Sequence, residues 1–506
     1  MESSNTNNIS NISHSNGKSS TQKFFEMKDI DFSAWEITGV PPAWFANNRQ
    51  NFVNNLKLRY AELEANAFLV LKGGEEIPRF DTDVTHYHFF QESNFYYLTG
   101  IREPATKAVM DLNSGEIVAF TAVLPETNQI WMKVQTFEEL KARYQIEFLD
   151  ENKMNEYIKG KSAEKIYLLQ GNNEYSSLPV IYPALDFKDE FSELNSKIST
   201  TAKIYEILCD TRAVKTNEEY NLLKFINKIT NDAHKEIMKH INFGLYERDL
   251  ENVFMNYLSK KYYTRIWAYP CIGGCGCNSA TLHYDKNDVS IKEGDMYLAD
   301  MGIRFCNYTS DVTQTIPATG KYSKRQKEIY DIVLKSNREV IKMMKPNVTT
   351  YTEMDRTSRI VILQELQKLG LINPGFSVEE MLEKKIDRVF MPHGLGHFVG
   401  LDVHDVGQKV SYKSQRIIEP GNLITVEPGI YFIPFLLEKS IAKEEMKLIL
   451  NADLIRTYFD FGGIRIEDDI FILEDTVENF NVDLPRTTEE IETFIKENNV
   501  YQKAKF

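Results

Sequence analysis

The stretch MPHGLGHFVGLDVHDVG at residues 391–407 decides the fold, because it sets three histidines into a short glycine-rich run. These are His393, His397 and His404. Imidazoles so close together in a chain are candidate metal ligands. A single histidine is more often a polar residue that forms hydrogen bonds within the protein than a metal ligand. This stretch therefore indicates a metal site only if other segments supply further ligands.

Three further stretches in the C-terminal half supply carboxylates. They are YLADMGIRFCNYTSD at 297–311, LITVEPGIYF at 423–432 and GGIRIEDDI at 462–470, and they contain Asp300, Asp311, Glu427 and Glu467. Most of these carboxylates follow β-branched or aromatic runs, as they would at the inner ends of strands. A buried strand that carries a charge is costly unless the charge is paired or coordinated. The four stretches together therefore indicate one shared cation site.

The composition of this site narrows its chemistry. Four carboxylates and one imidazole form a hard, oxygen-rich set without a thiolate, which suits Mn²⁺, allows Co²⁺ or Zn²⁺, and disfavours a structural zinc. Two divalent ions held together by shared carboxylates activate a water molecule for attack at neutral pH. The sequence therefore predicts two bound metal ions and a metal-assisted hydrolysis.

The same four stretches resemble the pita-bread metallopeptidases, a family that includes prolidase, aminopeptidase P, methionine aminopeptidase and creatinase. The resemblance implies an α+β chain, with a C-terminal pita-bread catalytic domain and a smaller N-terminal α/β domain. It places the imidazole ligand at His397, the second histidine of HGLGH, and not at His393. The metal ligands that it implies are Asp300, Asp311, His397, Glu427 and Glu467, with Asp311 and Glu467 bridging the two ions.

Further roles follow from the resemblance alone. His283 in ATLHYD and His404 are similar to the histidines that contact the substrate and stabilise the transition state, and Glu427 to the carboxylate that moves a proton. His393 is expected to line the site behind the ligands and Arg465 to anchor neighbouring carboxylates, and both are counted among the substrate-binding residues. Arg416 is similar to the arginine that binds a free C-terminal carboxylate, a task that suits the fixed fork of a guanidinium.

Within the family, the chain resembles the eukaryotic-type prolidases from about residue 40 to 490, including QESNFYYLTGI, CDTRAVKTNEE and LPRTTEEIE. This implies a dipeptidase that cleaves Xaa-Pro dipeptides, and a homodimer. Two alternatives remain open: an aminopeptidase P that trims longer Xaa-Pro peptides, and a non-catalytic pita-bread module that binds peptides or proteins.

Length and composition limit the organisation of the chain. At 506 residues it exceeds the roughly 250–300 residues that one hydrophobic core supports. We expect an N-terminal α/β domain over 23–205 and the catalytic domain over 206–506. Residues 1–22 are rich in Ser and Asn, a composition that predicts a disordered tail.

Charge, cysteine content and hydropathy exclude several classes of protein. The net charge of −14 argues against nucleic-acid binding. No run approaches the roughly 18–20 apolar residues that cross a bilayer, so we expect no membrane association and a cytoplasmic protein. The odd count of 5 cysteines does not suit a disulfide framework. We interpret Cys271, Cys275 and Cys277 as structural thiols, with a zinc or redox site as the alternative.

Local patterns predict several secondary-structure elements. Apolar runs predict strands at 68–73, 107–112, 116–122 and 165–171,. The residues 113–115 between the second and third runs suit a hairpin turn. Thr216 and Glu219 form a capping box that predicts the start of a helix. Two further helices are predicted from about Arg325 to Met344 and from about Glu353 to Leu369. Tyr96 and Tyr97 are expected in the core, with an approach to a neighbouring active site as the alternative.

Overall fold

The computed structural model describes residues 23–28, 30–85, 88–173, 175–180, 192–199, 201–407 and 416–503. The tail predicted at 1–22 lies outside these residues. The architecture within them is built from a six-stranded sheet near the N-terminus and several smaller sheets, packed against long helices, in the C-terminal half.

The N-terminal sheet is organised around one apolar strand, Ala67–Lys72, whose sequence AFLVLK is buried along nearly all its length. It pairs antiparallel with Lys107–Asp111 on one side and parallel with Lys165–Leu168 on the other. In spatial order the strands are Glu147–Asp150, Ile117–Thr121, Lys107–Asp111, Ala67–Lys72, Lys165–Leu168 and Ile198–Ser199. All four predicted strands are therefore present.

The neighbouring strands Lys107–Asp111 and Ile117–Thr121 are joined by the turn that the sequence predicts at 113–115. The backbone N–H of Gly115 donates to the carbonyl oxygen of Asp111, and Gly115 has φ +83°. Helices cover the sheet and fill the connections between strands. In this half the α-helices are Trp35–Thr38, Pro42–Arg59, Ser93–Thr99, Phe137–Tyr144 and Met154–Gly160.

Tyr96 and Tyr97 lie on helix Ser93–Thr99 with exposed fractions of 1% and 0%. The interpretation of this pair as core aromatics is confirmed. Phe45 packs edge-on against Tyr96, with ring centroids 5.1 Å apart.

Two consecutive helices lead from the sheet into the C-terminal half. Helix Lys203–Ala213 spans the position at which the sequence places the domain boundary, and that boundary stays a prediction. Helix Asn217–His240 follows it and begins at the capping box of Thr216 and Glu219, as predicted.

The C-terminal half contains short antiparallel sheets. In one of them, Met296–Asp300 lies between Thr313–Pro317 and Ile272–Cys275. In another, Asp468–Ile472 lies between Leu423–Val426 and Val477–Asn479. Two smaller ribbons pair Gly429–Tyr431 with Gly463–Arg465 and Arg304–Phe305 with Tyr308–Thr309. These pairings bring the ends of ligand-bearing strands toward one place.

Amphipathic helices pack around these sheets and bury their apolar faces. The helices predicted near 325–344 and 353–369 are present as Lys324–Met343 and Tyr351–Lys368. Each begins at a Ser or Thr cap that accepts a backbone hydrogen bond, which satisfies an otherwise unpaired N–H. The remaining α-helices are Glu247–Tyr262, Val378–Glu383, Asp387–Phe390, Pro434–Ile441, Glu444–Lys447, Ala452–Arg456, Thr488–Asn498 and Val500–Lys503.

Candidate metal centre and active-site cleft

The five candidate ligands come together at the meeting point of the C-terminal strands. Asp300 is the last residue of the strand Met296–Asp300 and is paired with Thr313 of the neighbouring strand. Thr313 follows Asp311 by two residues, so Asp300 and Asp311 lie close together. Glu427 follows Leu423–Val426, whose last residue is paired with Asp468, the residue after Glu467. Because these pairs are antiparallel, four carboxylates from distant parts of the sequence lie at one place.

The histidine-bearing stretch reaches this place by docking on the strand Leu423–Val426. The backbone N–H of Thr425 donates to the carbonyl oxygen of His397, and the Thr425 hydroxyl accepts a 2.9 Å hydrogen bond from the His397 N–H. Gly396 allows this approach, because a Cβ built there would lie 2.1 Å from the Thr425 carbonyl oxygen. A side chain at residue 396 would therefore push His397 out of the site.

The ligand atoms lie within coordination reach of one another. The Nε2 atom of His397 is 3.4 Å from Asp311 Oδ2 and 3.5 Å from Glu427 Oε1. One atom each from Asp311, His397 and Glu467 falls in a group no wider than 4.8 Å. All three side chains are buried.

The electrostatics of this cluster favour a bound cation. Burial and the neighbouring carboxylates raise the pKa of Asp311, Glu427 and Glu467 well above their ordinary values. Burial lowers the pKa of His397, which keeps its ring neutral and able to donate a lone pair. Crowded buried carboxylates repel one another, and divalent cations remove that repulsion. The donor set, which is rich in oxygen and has no thiolate, fits hard divalent metals.

The two histidines of HGLGH differ in which ring nitrogen they leave available. The Nδ1 atom of His397 lies 3.1 Å from the Phe398 carbonyl oxygen, so this nitrogen carries the proton and Nε2 faces the carboxylates. In His393, Nδ1 lies 2.7 Å from the Gly394 carbonyl oxygen and Nε2 lies 2.9 Å from the Tyr431 hydroxyl. Both nitrogens of His393 are occupied, so the geometry supports His397 as the ligand.

Arg465 forms hydrogen bonds to three side chains at one side of the metal centre. Its guanidinium donates to Asp300 at 2.5 Å and to the Tyr431 hydroxyl at 2.9 Å, and its Nε contacts the Thr313 hydroxyl at 3.2 Å. The side chain is buried. Arg465 therefore holds a carboxylate and the tyrosine that contacts His393 in one arrangement.

Two residues of the centre were not found from the sequence. The hydroxyl of Tyr269 lies 2.6 Å from Asp300 Oδ1 and 2.5 Å from Asp311 Oδ1, and the Thr313 hydroxyl donates to Glu467 at 2.6 Å. Tyr269 is surrounded by ordinary residues in RIWAYPC, so its sequence gives no signal. Thr313 lies two residues after Asp311, and only the strand alternation could have indicated that it faces inward.

The centre opens into a cleft of about 650 Å³, a size typical of small-ligand sites. His283, His393 and His404 line this cleft together with Asp285 and all five candidate ligands. Burial lowers the pKa of His393 and of His404 to about 3. Both imidazoles are therefore neutral at neutral pH and present a hydrogen-bond donor or acceptor without a charge.

Arg416 does not belong to the residues that line the cleft. One of its guanidinium nitrogens lies 3.3 Å from Asp210 Oδ1, and the guanidinium carbon lies 5.2 Å from the centre of the Phe398 ring. Its predicted contact with a substrate carboxylate therefore stays a prediction.

None of the cysteines of CIGGCGC belongs to the ligand group of Asp311, His397 and Glu467. Cys271 and Cys275 are buried, Cys277 is exposed, and all three thiols are free. The one group of potential metal ligands identified among the described residues consists of Asp311, His397 and Glu467.

The fold and the cleft together define a metal-dependent hydrolase, and comparison with known proteins gives its family. Residues 221–474 match the model of metallopeptidase family M24, and residues 45–167 match that of the N-terminal domain of aminopeptidase P. This chain belongs to the M24 metallopeptidases. It is a hydrolase with the expected α+β pita-bread fold, and the enzyme hypothesis is confirmed over the non-catalytic one.

Similar proteins cover almost the whole chain. The chain is 36% identical over 477 residues to the Xaa-Pro dipeptidase of Homo sapiens, which covers 90% of this chain and 94% of that protein. Its structure is similar to that of Pseudomonas aeruginosa aminopeptidase PepP, with a TM-score of 0.77, 26% identity, and coverage of 91% of this chain and 99% of that one. Zinc-substituted E. coli aminopeptidase P in complex with product is similarly close, with a TM-score of 0.76, 29% identity and the same coverages.

None of the described helices combines the length and the apolar character that crossing a bilayer requires.

Proposed function

We propose that this enzyme is a dinuclear metal-dependent dipeptidase that hydrolyses Xaa-Pro dipeptides to a free amino acid and proline. One observation carries the hydrolytic part of the proposal, namely the convergence of Asp300, Asp311, His397, Glu427 and Glu467 at the floor of one cleft. The likeness to the human Xaa-Pro dipeptidase over 90% of the chain supports the choice of substrate.

The residues of the cleft divide the work of peptide hydrolysis. Divalent ions held by the five candidate ligands would polarise the scissile carbonyl and lower the pKa of a water molecule. Glu427, which lines the same cleft, would accept a proton from the attacking water and pass it to the leaving proline nitrogen. His404 and His283 face the same space and donate hydrogen bonds to the charge that develops on the carbonyl oxygen.

The residues behind the cleft keep these groups in place. Arg465 fixes Asp300, and through the Tyr431 hydroxyl it also fixes His393. Tyr269 contacts two of the carboxylates. Partners of this kind orient metal ligands and tune their basicity.

We further propose that the enzyme uses Mn²⁺, acts in the cytoplasm and forms a homodimer. Four carboxylates and one imidazole suit Mn²⁺ better than a soft metal that prefers thiolate ligands. Co²⁺ and Zn²⁺ remain alternatives. For the dipeptide carboxylate, Arg416 is the proposed binding residue, because it is similar to the carboxylate-binding arginine of the family and follows the catalytic stretch in sequence.

An aminopeptidase P activity on longer Xaa-Pro peptides is the second candidate. The similarity to the two aminopeptidase structures, over 91% of the chain in each case, favours it. The two candidates differ in whether residues after the proline are accepted.

The test compares the products of Gly-Pro with those of Arg-Pro-Pro, using Gly-Gly as a control for proline specificity. The enzyme is first stripped of metal and then reloaded with Mn²⁺, Co²⁺ or Zn²⁺. We expect Gly-Pro cleavage that is strongest with Mn²⁺, weak cleavage of Arg-Pro-Pro and none of Gly-Gly. Cleavage of Arg-Pro-Pro alone would establish the aminopeptidase and refute the dipeptidase.

A further inference from the structure

We propose that Tyr175 is a specificity-determining residue of the cleft, whose ring packs against the bound peptide and restricts the cleft to short substrates. The proposal rests on the peptidase function given above. Tyr175 comes from the N-terminal part of the chain, whereas every candidate metal ligand comes from the C-terminal half. The residue therefore joins the two halves at the place where the substrate binds.

Tyr175 lies at the end of a small hairpin. The strand Gly171–Asn172 pairs antiparallel with Pro179–Val180. Between them the Asn173 side chain accepts hydrogen bonds from the backbone N–H groups of Tyr175 and Ser176, at 3.0 and 2.9 Å. An Asn that bonds to the following backbone in this way fixes a turn. The backbone position of Tyr175 is therefore fixed by the turn.

The base of the hairpin is anchored against the segment that carries His404. Val180 packs on a buried cluster formed by Tyr205, Cys209 and Val406. A Cβ at Gly171 would lie 2.4 Å from the Tyr205 ring, which shows how closely the hairpin approaches this cluster. The hairpin and the catalytic segment are thus held in one packing unit.

The ring of Tyr175 covers two histidines of the site. Its centroid lies 4.1 Å from that of His404, at an interplanar angle of 36°, and 5.9 Å from that of His397. These distances are those of packed aromatic rings. Tyr175 also lines the cleft with the apolar side chains of Pro270 and Leu282.

The position of the ring gives it a role at the mouth of the cleft. Tyr175 has an exposed fraction of 36%, so one part of the ring faces solvent while another faces His404. Within the described residues, its hydroxyl group makes no hydrogen bond, so no partner in this part of the chain draws the side chain away from the cleft. A peptide bound against His404 therefore lies beside this ring, and we propose that a longer peptide collides with it.

The test uses two variants of Tyr175 in the full-length, metal-loaded enzyme. Tyr175→Ala removes the ring, and Tyr175→Phe keeps it without the hydroxyl group. Leu178→Ala is the matched control, because Leu178 lies on the same hairpin, is 65% exposed and does not line the cleft. Steady-state kinetics on Gly-Pro and Arg-Pro-Pro are measured for each, and elemental analysis gives the metal content.

We expect Tyr175→Ala to raise KM for Gly-Pro about tenfold with kcat changed less than about threefold, the signature of lost binding shared by ground state and transition state. The ratio of kcat/KM for Arg-Pro-Pro to that for Gly-Pro should rise about tenfold, at unchanged metal content, because the mouth of the cleft is wider. Leu178→Ala should match the wild-type enzyme, and Tyr175→Phe, which keeps the ring, should keep the wild-type ratio between the two substrates.

Either of two results would overturn the proposal. One is a substrate ratio in Tyr175→Ala that equals that of the wild-type enzyme. The other is a loss of metal or of kcat alone, which would assign Tyr175 to the metal centre. The activity of the wild-type enzyme is measured first. If it cleaves neither peptide, the proposed function is wrong, and the proposal for Tyr175 is wrong with it.

Discussion

Arg465 and Asp300 form a buried ion pair at 2.5 Å, and Asp300 also accepts a hydrogen bond from Tyr269 at 2.6 Å. Each oxygen of this carboxylate therefore has one protein partner. Burial and the neighbouring carboxylates raise the pKa of Glu427 and Glu467, and the positive charge of Arg465 opposes that rise. It thus stabilises the cluster of carboxylates while leaving room for metal ions between them.

The first prediction concerns the geometry of this guanidinium. Arg465→Lys keeps the charge but loses the fork that contacts Asp300, Tyr431 and Thr313 at once. We expect kcat/KM to fall about 10–100-fold, the usual cost of losing an outer-shell partner of a metal ligand. Titration with Mn²⁺, followed by dipeptidase activity and by bound metal, measures the change.

Arg456→Lys is the matched control for this variant. Arg456 pairs with Glu438 at the surface, and both side chains are about half exposed. Its substitution should leave activity and metal content unchanged. An Arg465→Lys enzyme that is as active as the wild type would show that charge alone suffices at residue 465.

The second prediction follows from the crowding of the carboxylates. Asp311→Asn removes a predicted bridging ligand, so we expect activity to disappear and less metal to bind. The raised pKa of Asp311 means that its ionised form destabilises the metal-free folded state. In EDTA the variant should therefore unfold at a temperature equal to or above that of the wild-type protein.

Thermal unfolding with and without Mn²⁺ tests both parts of this prediction. Metal that binds only the folded protein raises the melting temperature, and we expect this increase in the wild-type protein and not in Asp311→Asn. Asp453→Asn, at a fully exposed position, should behave like the wild type. Normal turnover by Asp311→Asn would refute the two-metal site.

The third prediction separates the two histidines of HGLGH. His397→Ala should lose bound metal and activity together, since its Nε2 faces Asp311 and Glu427. His393→Ala should keep the metal and lose activity in part, because both of its ring nitrogens are occupied by Gly394 and Tyr431. Elemental analysis of the two variants decides the matter, and equal metal loss in both would contradict the assignment.

The structure brings together the four segments that the sequence singled out, whereas the residues around them gave no signal in the sequence. Asp300, Glu427 and Glu467 could be found because each follows an apolar run, where an isolated charge requires an explanation, and Asp311 was placed with them by the resemblance to the metallopeptidase family. Tyr269 and Tyr175 could not, because a tyrosine is common both in cores and on surfaces. Their roles depend on which segments pack together, and no local pattern encodes that packing.

The same contrast holds for the fold. Strand Ala67–Lys72 and helix Asn217–His240 were predictable, since a continuous apolar run and a capping box are local signals. The hairpin Gly171–Asn172 with Pro179–Val180 was not, because strands of two residues are too short to show a period. Its structure depends on packing against Tyr205 and Val406.

The last prediction concerns stability in acid and rests on His234. This side chain is fully buried on helix Asn217–His240, with Nε2 2.9 Å from the Met301 carbonyl oxygen. Burial lowers its pKa from 6.5 to about 4. The unfolded chain therefore binds a proton below pH 6.5 that the folded protein rejects until about pH 4. The contribution of neutral His234 to the free energy of unfolding is therefore complete above pH 6.5 and decreases as the pH falls from 6.5 to about 4,.

His234→Gln keeps a polar group beside Met301 but does not titrate. Urea unfolding of both proteins, without metal, gives the free energy of unfolding at pH 7 and pH 5. Because pH 5 lies about 1.5 units below the unfolded-state pKa of 6.5, and each unit corresponds to about 1.4 kcal/mol, the wild type should lose about 2 kcal/mol more than the variant between pH 7 and pH 5. His240→Gln is the control, because His240 lies at the end of the same helix and is only partly buried. If wild type and His234→Gln lose equal stability, His234 is not the group that destabilises the folded protein in acid.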